Sequence, residues 1–154
     1  MSQVLSAQAS TETAWLRFLR AHAAVTRELS TRLENAHGLT LSDFDVLVQL
    51  FHAEGHRLRR VDLARQVLLT ASGITRLLDG LERAGLVKKD RCDADARVTY
   101  AVLTEAGQAK IAAARESHLA DIEELFGSQF SAEEKATLDE LLSRLPLADT
   151  ACQK

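Results

Sequence analysis

The sequence is poor in the features that mark membrane, secreted and disordered proteins. Its 154 residues include one proline, seven glycines, two cysteines and 5% aromatic residues. No apolar run reaches the roughly 18–20 residues that a membrane-spanning helix needs. The N-terminal stretch MSQVLSAQASTETAW lacks the basic start and apolar middle of a signal peptide. We therefore expect a cytoplasmic protein.

The two cysteines, Cys92 and Cys152, are far apart and belong to no Cys-x-x-Cys pair. The sequence therefore predicts neither a disulfide framework nor a zinc site. Lys89 and Arg91 precede Cys92 and would favour its thiolate, which leaves two interpretations open. We expect an ordinary thiol, and a redox-sensing cysteine is the alternative.

Motifs for catalysis are also missing. The chain has no Gly-x-Ser-x-Gly, P-loop or Gly-x-Gly-x-x-Gly pattern. The stretch HAEGH, residues 52–56, differs from the zinc-binding His-Glu-x-x-His because Glu54 is misplaced and Gly55 interrupts the helix. We expect no enzymatic activity, no cofactor and no metal site.

Composition and charge indicate one mainly α-helical domain spanning residues 1–154 with a basic middle segment. Apolar residues make up 46% of the chain, and Leu, Ala, Arg and Glu favour helix. The formal net charge is −3, but residues 57–97 contain ten Lys or Arg against six Asp or Glu. A polyanion would bind at this segment.

Apolar residues recur at helical spacing in six segments. The first helix is predicted over 12–36 and ends at Gly38, and the second begins at Thr40 with a capping box formed with Asp43. The other predicted helices are a short one in RRVDLARQVLL, one over 71–84, one over 105–126 capped by Thr104, and one capped by Ser131 with Glu134 and ended by Pro146.

The stretch TASGITRLLDGLERAGLVKK predicts a helix with one apolar face and with small or polar residues at its N-terminal end. Its apolar stripe comprises Ile74, Leu77, Leu78 and Leu81. The opposite side carries small or cationic groups that let another surface approach the helix backbone. After the short preceding helix, this arrangement is typical of a helix-turn-helix.

The residues that follow change from helical period to strand period. Val98, Tyr100 and Val102 alternate with Thr99, Ala101 and Leu103. Pairing of this strand with LVKKDR across the polar CDADA tip predicts an antiparallel hairpin, that is, a wing. Residues 57–59 are predicted to add a short third strand. The predicted fold is mainly α with a small antiparallel hairpin.

In order and spacing, LTLSDFDVLVQL, the helix-turn-helix, the wing DADAR and LTEAGQ resemble the MarR (multiple antibiotic resistance regulator) family of winged-helix transcriptional regulators. The resemblance covers nearly the whole chain and implies a sequence-specific regulator of double-stranded DNA, here expected to be a repressor. It implies that helix 71–84 enters the major groove and that wing 91–98 enters the minor groove. It also divides the chain into a winged lobe, 40–104, and dimerisation helices, 12–36 and 105–146.

The predicted DNA-binding residues come from the helix-turn-helix and the wing. They are Arg60, Thr70, Ser72, Gly73, Thr75, Arg76, Lys88, Lys89, Arg91, Asp95 and Arg97. Thr70 as N-cap would leave the N–H groups of residues 71–73 facing a phosphate, and Arg76 would contact a guanine or a phosphate. The chain departs from the family where Ala96 replaces an expected basic residue and where Gly73 replaces a larger one.

Two alternatives to these roles stay open. Arg76 could pair with Asp79 or with a wing aspartate, and Arg97 could pair with Asp93 or Asp95. The winged helix could also be a protein-interaction module without DNA binding. Charge reversal of the arginines distinguishes the two functions, because DNA affinity depends steeply on salt.

A single recognition helix reads few base pairs, so we expect a homodimer on a pseudo-palindromic operator. The long apolar stripes of the terminal helices could instead complete a monomeric core. The resemblance further implies a small aromatic or phenolic effector bound beside the dimerisation helices. The residues predicted to bind it are Trp15, Phe18, His22, Phe44 and Asp45. The alternative is that the Trp and Phe residues belong to the core and that His22 is an interior histidine with its hydrogen bonds satisfied.

Overall fold

The order of elements in the computed structural model follows the predicted pattern of helices and hairpin. The structure describes residues 10–67, 69–92, 94–95 and 97–145. The elements are α1 (Thr11–His37), α2 (Leu41–His52), β1 (Arg57–Arg59), α3 (Arg60–Gln66), α4 (Ala71–Arg83), β2 (Val87–Arg91), β3 (Thr99–Leu103), α5 (Glu105–Leu125) and α6 (Ala132–Ser143). The predicted mainly helical fold with a small antiparallel sheet is confirmed.

Hydroxyl side chains begin the helices where the sequence predicts. The capping boxes of Thr40 with Asp43 and of Ser131 with Glu134 are both formed. Thr104 Oγ1 accepts a hydrogen bond from the Gly107 N–H at 3.0 Å and donates one to the Gly85 carbonyl at 2.7 Å. The same side chain therefore caps α5 and holds the turn between α4 and β2.

The helix ends agree with the sequence in part. Gly38 ends α1 in the left-handed conformation, with φ of 68°, as predicted. The second helix ends earlier than expected, at His52, because Gly55 lies in a following 3₁₀ turn, Glu54–His56, with φ of 62°. The last helix ends at Ser143, and Pro146, predicted to end it, lies outside the described residues.

The three strands form an antiparallel sheet in the order β1-β3-β2. Arg57 pairs with Val102 in β3, and Arg91 of β2 pairs with Thr99. The predicted hairpin and third strand are confirmed. Ala101 and Leu103 face the core, with exposures of 0% and 4%, so one face of the wing is anchored to the helices.

The core lies between α2, α3, α4, α5 and the sheet. Three of the four residues in the predicted stripe of α4, Ile74, Leu78 and Leu81, are buried, and Leu77 packs against them half-buried. They meet Leu47, Leu50, Leu63, Val87 and Ile111, which are also buried. This packing holds the buried side of α4 and leaves its polar side outward.

The α1 helix packs along α5, and an ion-pair cluster ties the two together. Arg32 lies 3.0 Å from Glu28, 2.9 Å from Asp121 and 3.1 Å from Glu124. These carboxylates raise the pKa of the Arg32 guanidinium, the Glu124 hydrogen bond contributing most. No helix within the described ranges is long and apolar enough to cross a membrane.

Candidate nucleic-acid interface

The first turn of α4 is held by its own cap. Thr70 Oγ1 accepts a hydrogen bond from the Gly73 N–H at 3.1 Å and lies 3.3 Å from Ser72 Oγ. The expectation that residues 71–73 all offer free N–H groups is therefore wrong for Gly73, because an N-cap side chain satisfies the third helical amide. A phosphate at this helix end would meet the amides of Ala71 and Ser72.

Arg76, one turn further along α4, is exposed and forms no ion pair with any residue that the structure describes. The predicted alternative, a pair with Asp79, is wrong, because the Asp79 carboxylate is taken by Lys89. The Lys89 ammonium lowers the pKa of Asp79. The Arg76 guanidinium thus stays available at the surface.

Lys89 and Lys88 are neighbours in β2 but have different surroundings. Lys89 Nζ pairs with Asp79 and lies 3.1 Å from Glu82 Oε2, both on α4. These two carboxylates raise the pKa of Lys89. Lys88 lies on the opposite face of the strand, is exposed, and has no ion pair among the described residues. The two lysines, both predicted to bind DNA, therefore have different surroundings.

A groove of about 290 Å³ runs between α4 and the inner face of the wing. It is lined by Arg60, Thr75, Leu78, Lys89, Arg91 and Thr99. Arg60 Nη1 lies 3.5 Å from Thr75 Oγ1, which itself donates to the Ala71 carbonyl at 2.8 Å. Arg60, Thr75 and Arg91, predicted from three separate segments, therefore come together beside α4.

The outer face of the sheet carries a contact that the sequence analysis missed. The Arg57 guanidinium lies 4.1 Å from the centre of the Tyr100 ring and 3.5 Å from the Asp90 carboxylate. This is a cation–π contact beside an exposed ion pair. The strand alternation that predicts β3 also puts Tyr100 on this face, but the pairing of Arg57 with β3 depends on the strand order.

The wing tip is shaped by Asp95. Its Oδ1 accepts a hydrogen bond from the Arg97 backbone N–H at 2.9 Å, and its carbonyl accepts from the Val98 N–H at 3.0 Å. The Cys92 N–H donates to the Val98 carbonyl at 3.0 Å and closes the tip. The exposed Arg97 guanidinium forms no ion pair with the part of the wing that the structure describes.

Asp93 and Ala96, which the sequence analysis also places in the wing, lie outside the described residues. The pairing of Arg97 with Asp93 stays a prediction. Asp95 contacts the Arg97 backbone, which makes it a turn-forming residue of the wing.

The five predicted effector residues fall into two groups. Trp15, Phe18 and His22 form an exposed row on α1, with ring centres 6.1 Å and 6.4 Å apart. Phe44 lies on α2 with its ring 4.6 Å from that of His118 on α5. No hydrogen bond, ion pair or ring contact between described residues joins the α1 row to Phe44 or Asp45.

A buried histidine beside Phe44 was not predicted. His118 is 9% exposed, and its Nδ1 has no hydrogen-bond partner among the residues that the structure describes. Burial lowers the pKa of His118, and the carboxylates of Asp121 and Asp45 partly oppose this shift. The pKa of Asp45 is raised because the surrounding protein removes water from its carboxyl. The sequence gives little indication that His118 is buried, because it is the single histidine of α5 and this helix has no strong apolar face.

Comparison with known proteins agrees with this geometry. A sequence profile described as the MarR family matches residues 39–99. The chain is 30% identical over 128 residues to the HTH-type transcriptional regulator MhqR of Bacillus subtilis, covering 83% of this chain and 86% of that protein. It is 34% identical over 108 residues to the B. subtilis HTH-type transcriptional repressor YetL, covering 70% of this chain and 64% of that protein.

Two solved structures have similar folds. AbsC, a MarR family transcriptional regulator from Streptomyces coelicolor, superposes with a TM-score of 0.80 at 29% identity, covering 92% of this chain and 93% of AbsC. Sco3205 is another MarR family transcriptional regulator from S. coelicolor, and its structure was solved in complex with DNA. It superposes with a TM-score of 0.81 at 23% identity, covering 87% of this chain and 88% of Sco3205.

Proposed function

Because this chain belongs to the MarR family of DNA-binding transcriptional regulators, we propose that it is a ligand-responsive repressor acting as a homodimer on a pseudo-palindromic operator. The observation that carries the proposal is the exposed Arg76 guanidinium, which no described carboxylate neutralises. An unpaired arginine one turn into the helix after a helix-turn-helix is suited to bidentate contact with a guanine. The bound dimer would then repress transcription by blocking access to the promoter.

The proposed DNA contacts divide into three kinds. Ser72, Gly73, Thr75 and Arg76 lie along the first turns of α4 and approach base edges in the major groove. Arg97 at the wing tip enters the minor groove, with Asp95 holding the turn beneath it. The remaining groups bind phosphates and add salt-dependent affinity without sequence information; they are Arg60, Thr70, Lys88 and Arg91.

Lys89 has a different role in this proposal. Its ammonium is already paired with Asp79 and Glu82, so a phosphate contact would require breaking one of these pairs. Lys89 instead fixes the wing relative to α4.

The homodimer is supported by apolar side chains that a single chain leaves exposed on the terminal helices. Trp15 is 56% exposed and Leu119 59% exposed, and Leu141 and Leu145 are each 47% exposed. Apolar surface of this extent is typical of an interface. We assign residues 12–36 and 105–146 to dimerisation and residues 40–104 to the DNA-binding lobe. Both parts belong to one domain.

The effector is proposed to be a small aromatic or phenolic molecule that contacts Trp15, Phe18 and His22 of α1 together with Phe44 and Asp45 of α2. No ring contact joins the two groups within the described part of one chain, and we propose that the partner subunit completes the effector cleft. Its occupation would shift α1 relative to the winged lobe and change the spacing of the two recognition helices.

The proposal is tested by incubating the purified full-length chain with fragmented genomic DNA from its source and sequencing the protected fragments. We expect an inverted repeat whose half-site centres lie about 34–36 Å apart. Arg76→Glu and Arg97→Glu should abolish protection of specific fragments and reduce the salt dependence of the remaining non-specific binding. The matched control is Arg27→Glu on α1, an exposed arginine outside the lobe, used once sedimentation shows the same oligomeric state as the parent.

Two outcomes would contradict the proposal. Recovery of fragments without a shared motif would exclude a sequence-specific regulator. Unchanged protection by Arg76→Glu and Arg97→Glu would favour a winged helix that binds another protein. The dimer is tested separately by sedimentation, where Leu119→Glu should yield monomer and Val61→Glu, an exposed apolar residue on α3, should not.

A further inference from the structure

The outer face of the three-stranded sheet, which points away from α4, is cationic. Successive residues of a strand point to opposite faces, and Lys89 and Arg91 line the groove beside α4, so Lys88 and Asp90 lie on the outer face. The strand register puts two rows of three residues on this face. They are Arg57, Val102 and Lys88 in one row and Arg59, Tyr100 and Asp90 in the other. The three cations of these rows are exposed, and one carboxylate lies beside them.

Tyr100 lies between the two arginines of this face and contacts both. The Arg57 guanidinium lies 4.1 Å from the centre of the Tyr100 ring. The Arg59 guanidinium donates a hydrogen bond to the Tyr100 hydroxyl, and this bond raises the pKa of Arg59. A ring that contacts two guanidinium groups reduces the number of rotamers they sample, so less side-chain entropy is lost when they bind an anion.

The cations of the outer face are weakly neutralised. Asp90 is the carboxylate of the two rows, and it lies 3.5 Å from the Arg57 guanidinium. Both side chains are about half exposed, at 43% and 51%, and an exposed pair of this kind contributes little to stability. Arg59 and Lys88 take part in no ion pair formed by the described residues. A polyanion can therefore bind this face without displacing a strong partner.

A wing that enters the minor groove has a sugar-phosphate strand on each side, because that groove is about 6 Å wide. The inner face of the wing borders α4 and meets the strand between the minor and major grooves, so the outer face meets the opposite strand. Arg59 pairs with Tyr100, and Arg91 pairs with Thr99. Arg59 therefore lies one residue, about 3.3 Å, further from the wing tip than Arg91, and both can reach phosphates beside the same groove.

We propose that the outer face of the wing is a second phosphate-binding surface, which binds the DNA strand on the side of the minor groove away from α4. Arg59 lies closest to the wing tip, and Arg57 and Lys88 bind phosphates behind it. Tyr100 is a positioning residue that holds both arginines. Charge complementarity favours a nucleic-acid backbone as the occupant of this face. The inference rests on the proposed function, because it requires the wing to enter the minor groove.

The experiment measures binding of the full-length chain to a fluorescein-labelled, A·T-rich duplex of arbitrary sequence, about three helical turns or 30 base pairs long, so it needs no operator. Arg59→Gln should reduce the slope of log K against log[salt] by about 0.9, the value for one phosphate contact, and Arg59→Lys should retain the slope. The control Arg27→Gln, exposed on α1, should match the parent once sedimentation shows the same oligomeric state. Netropsin, which fills the minor groove of such DNA, should abolish the difference between the parent and Arg59→Gln.

The variant Tyr100→Phe tests the positioning role. It keeps the ring beside Arg57 but removes the hydroxyl that accepts the Arg59 hydrogen bond. Tyr100→Phe should weaken duplex binding about threefold at an unchanged salt slope. In the Arg59→Gln background it should cost nothing, because that hydrogen bond is already absent. An equal loss in both backgrounds would exclude the positioning role.

The salt slopes separate failure of this inference from failure of the proposed function. Unchanged slopes in Arg59→Gln and Arg57→Gln, with a smaller slope in Arg76→Gln, would overturn the inference alone and assign the outer face to an acidic segment of a protein partner. Unchanged slopes in all three variants would contradict the proposed DNA interface as well. A difference between the parent and Arg59→Gln that persists with netropsin would show phosphate binding outside the minor groove, which would also overturn the inference.

Discussion

Lys89 Nζ on β2 lies 3.1 Å from Glu82 Oε2 on α4 and also pairs with Asp79 one turn earlier. The relationship fixes the base of the wing against the recognition helix. It also pairs one of the cations predicted to bind DNA with two carboxylates of α4. The neighbouring lysines of β2 therefore differ: Lys89 is paired with α4, and Lys88 forms no ion pair with the residues that the structure describes.

The first prediction compares these two lysines. Lys88→Met should lower DNA affinity and reduce the slope of log K against log[salt] by about 0.9, the value for one phosphate contact. Lys89→Met should leave that slope unchanged, because its charge is already neutralised. Fluorescence anisotropy across a salt series measures both. A smaller slope for Lys89→Met than for Lys88→Met would contradict the assignment.

The second prediction concerns the turn at the wing tip. Removing the negative charge of Asp95 would be expected to favour DNA binding on electrostatic grounds alone. We expect the opposite from Asp95→Ala, a loss of about fivefold in affinity, because the Arg97 N–H loses its acceptor at 2.9 Å and one such hydrogen bond contributes about 1 kcal/mol. Asp95→Asn keeps the acceptor and should bind at least as well as the parent. Tighter binding by Asp95→Ala would refute the turn-forming role.

The third prediction uses two glycines inside helices. A Cβ at Gly107, at the start of α5, would overlap the Leu86 carbonyl and lie 2.7 Å from Leu103 Cδ1. Gly107→Ala should therefore destabilise the fold by about 1–3 kcal/mol despite the higher helix propensity of alanine. Gly80→Ala meets open space and should stabilise it by about 0.5–1 kcal/mol. Urea unfolding measures both, and similar shifts in the two variants would contradict the packing described.

The fourth prediction concerns the pH dependence of the free energy of unfolding. Burial lowers the pKa of His118 below its usual value of 6.5, so the unfolded chain binds a proton more readily than the folded chain. The stabilisation from neutral His118 is complete above pH 6.5 and is lost as the pH falls through the lowered pKa. Around pH 6 the unfolding free energy should therefore decrease with acidification.

His118→Phe should remove this component of the acid dependence and leave stability at pH 8 unchanged or raised, because it replaces an unpartnered Nδ1 with an apolar ring. Asp45→Asn should extend the acid loss to lower pH, since the Asp45 carboxylate raises the pKa of His118. Urea midpoints from pH 5 to 8 measure these effects. An unchanged profile in His118→Phe would assign the dependence to other groups.

The local elements were predictable because they depend on nearby residues. The side chains of Thr40, Thr104 and Ser131 each accept a hydrogen bond from the backbone N–H three residues later and so begin a helix. This pattern is visible in the sequence. The switch from helical to strand spacing after residue 86 likewise indicated the hairpin. The partners of Lys89 and Asp95 were not predictable in this way, because they depend on which strand face meets α4 and on the geometry of the wing tip.

By itself, the sequence determined the order of helices and strands, the buried stripe of α4 and the basic character of residues 57–97, because periodicity, capping and charge are local properties. Only the tertiary structure decided which cations are paired. Packing of the sheet against α4 placed Lys89 beside Asp79 and Glu82, left Arg76 without an ion pair among the described residues, and left open space beside Gly80. Contacts between segments distant in the chain arise from how the core closes, and this is not encoded in the spacing of any one segment.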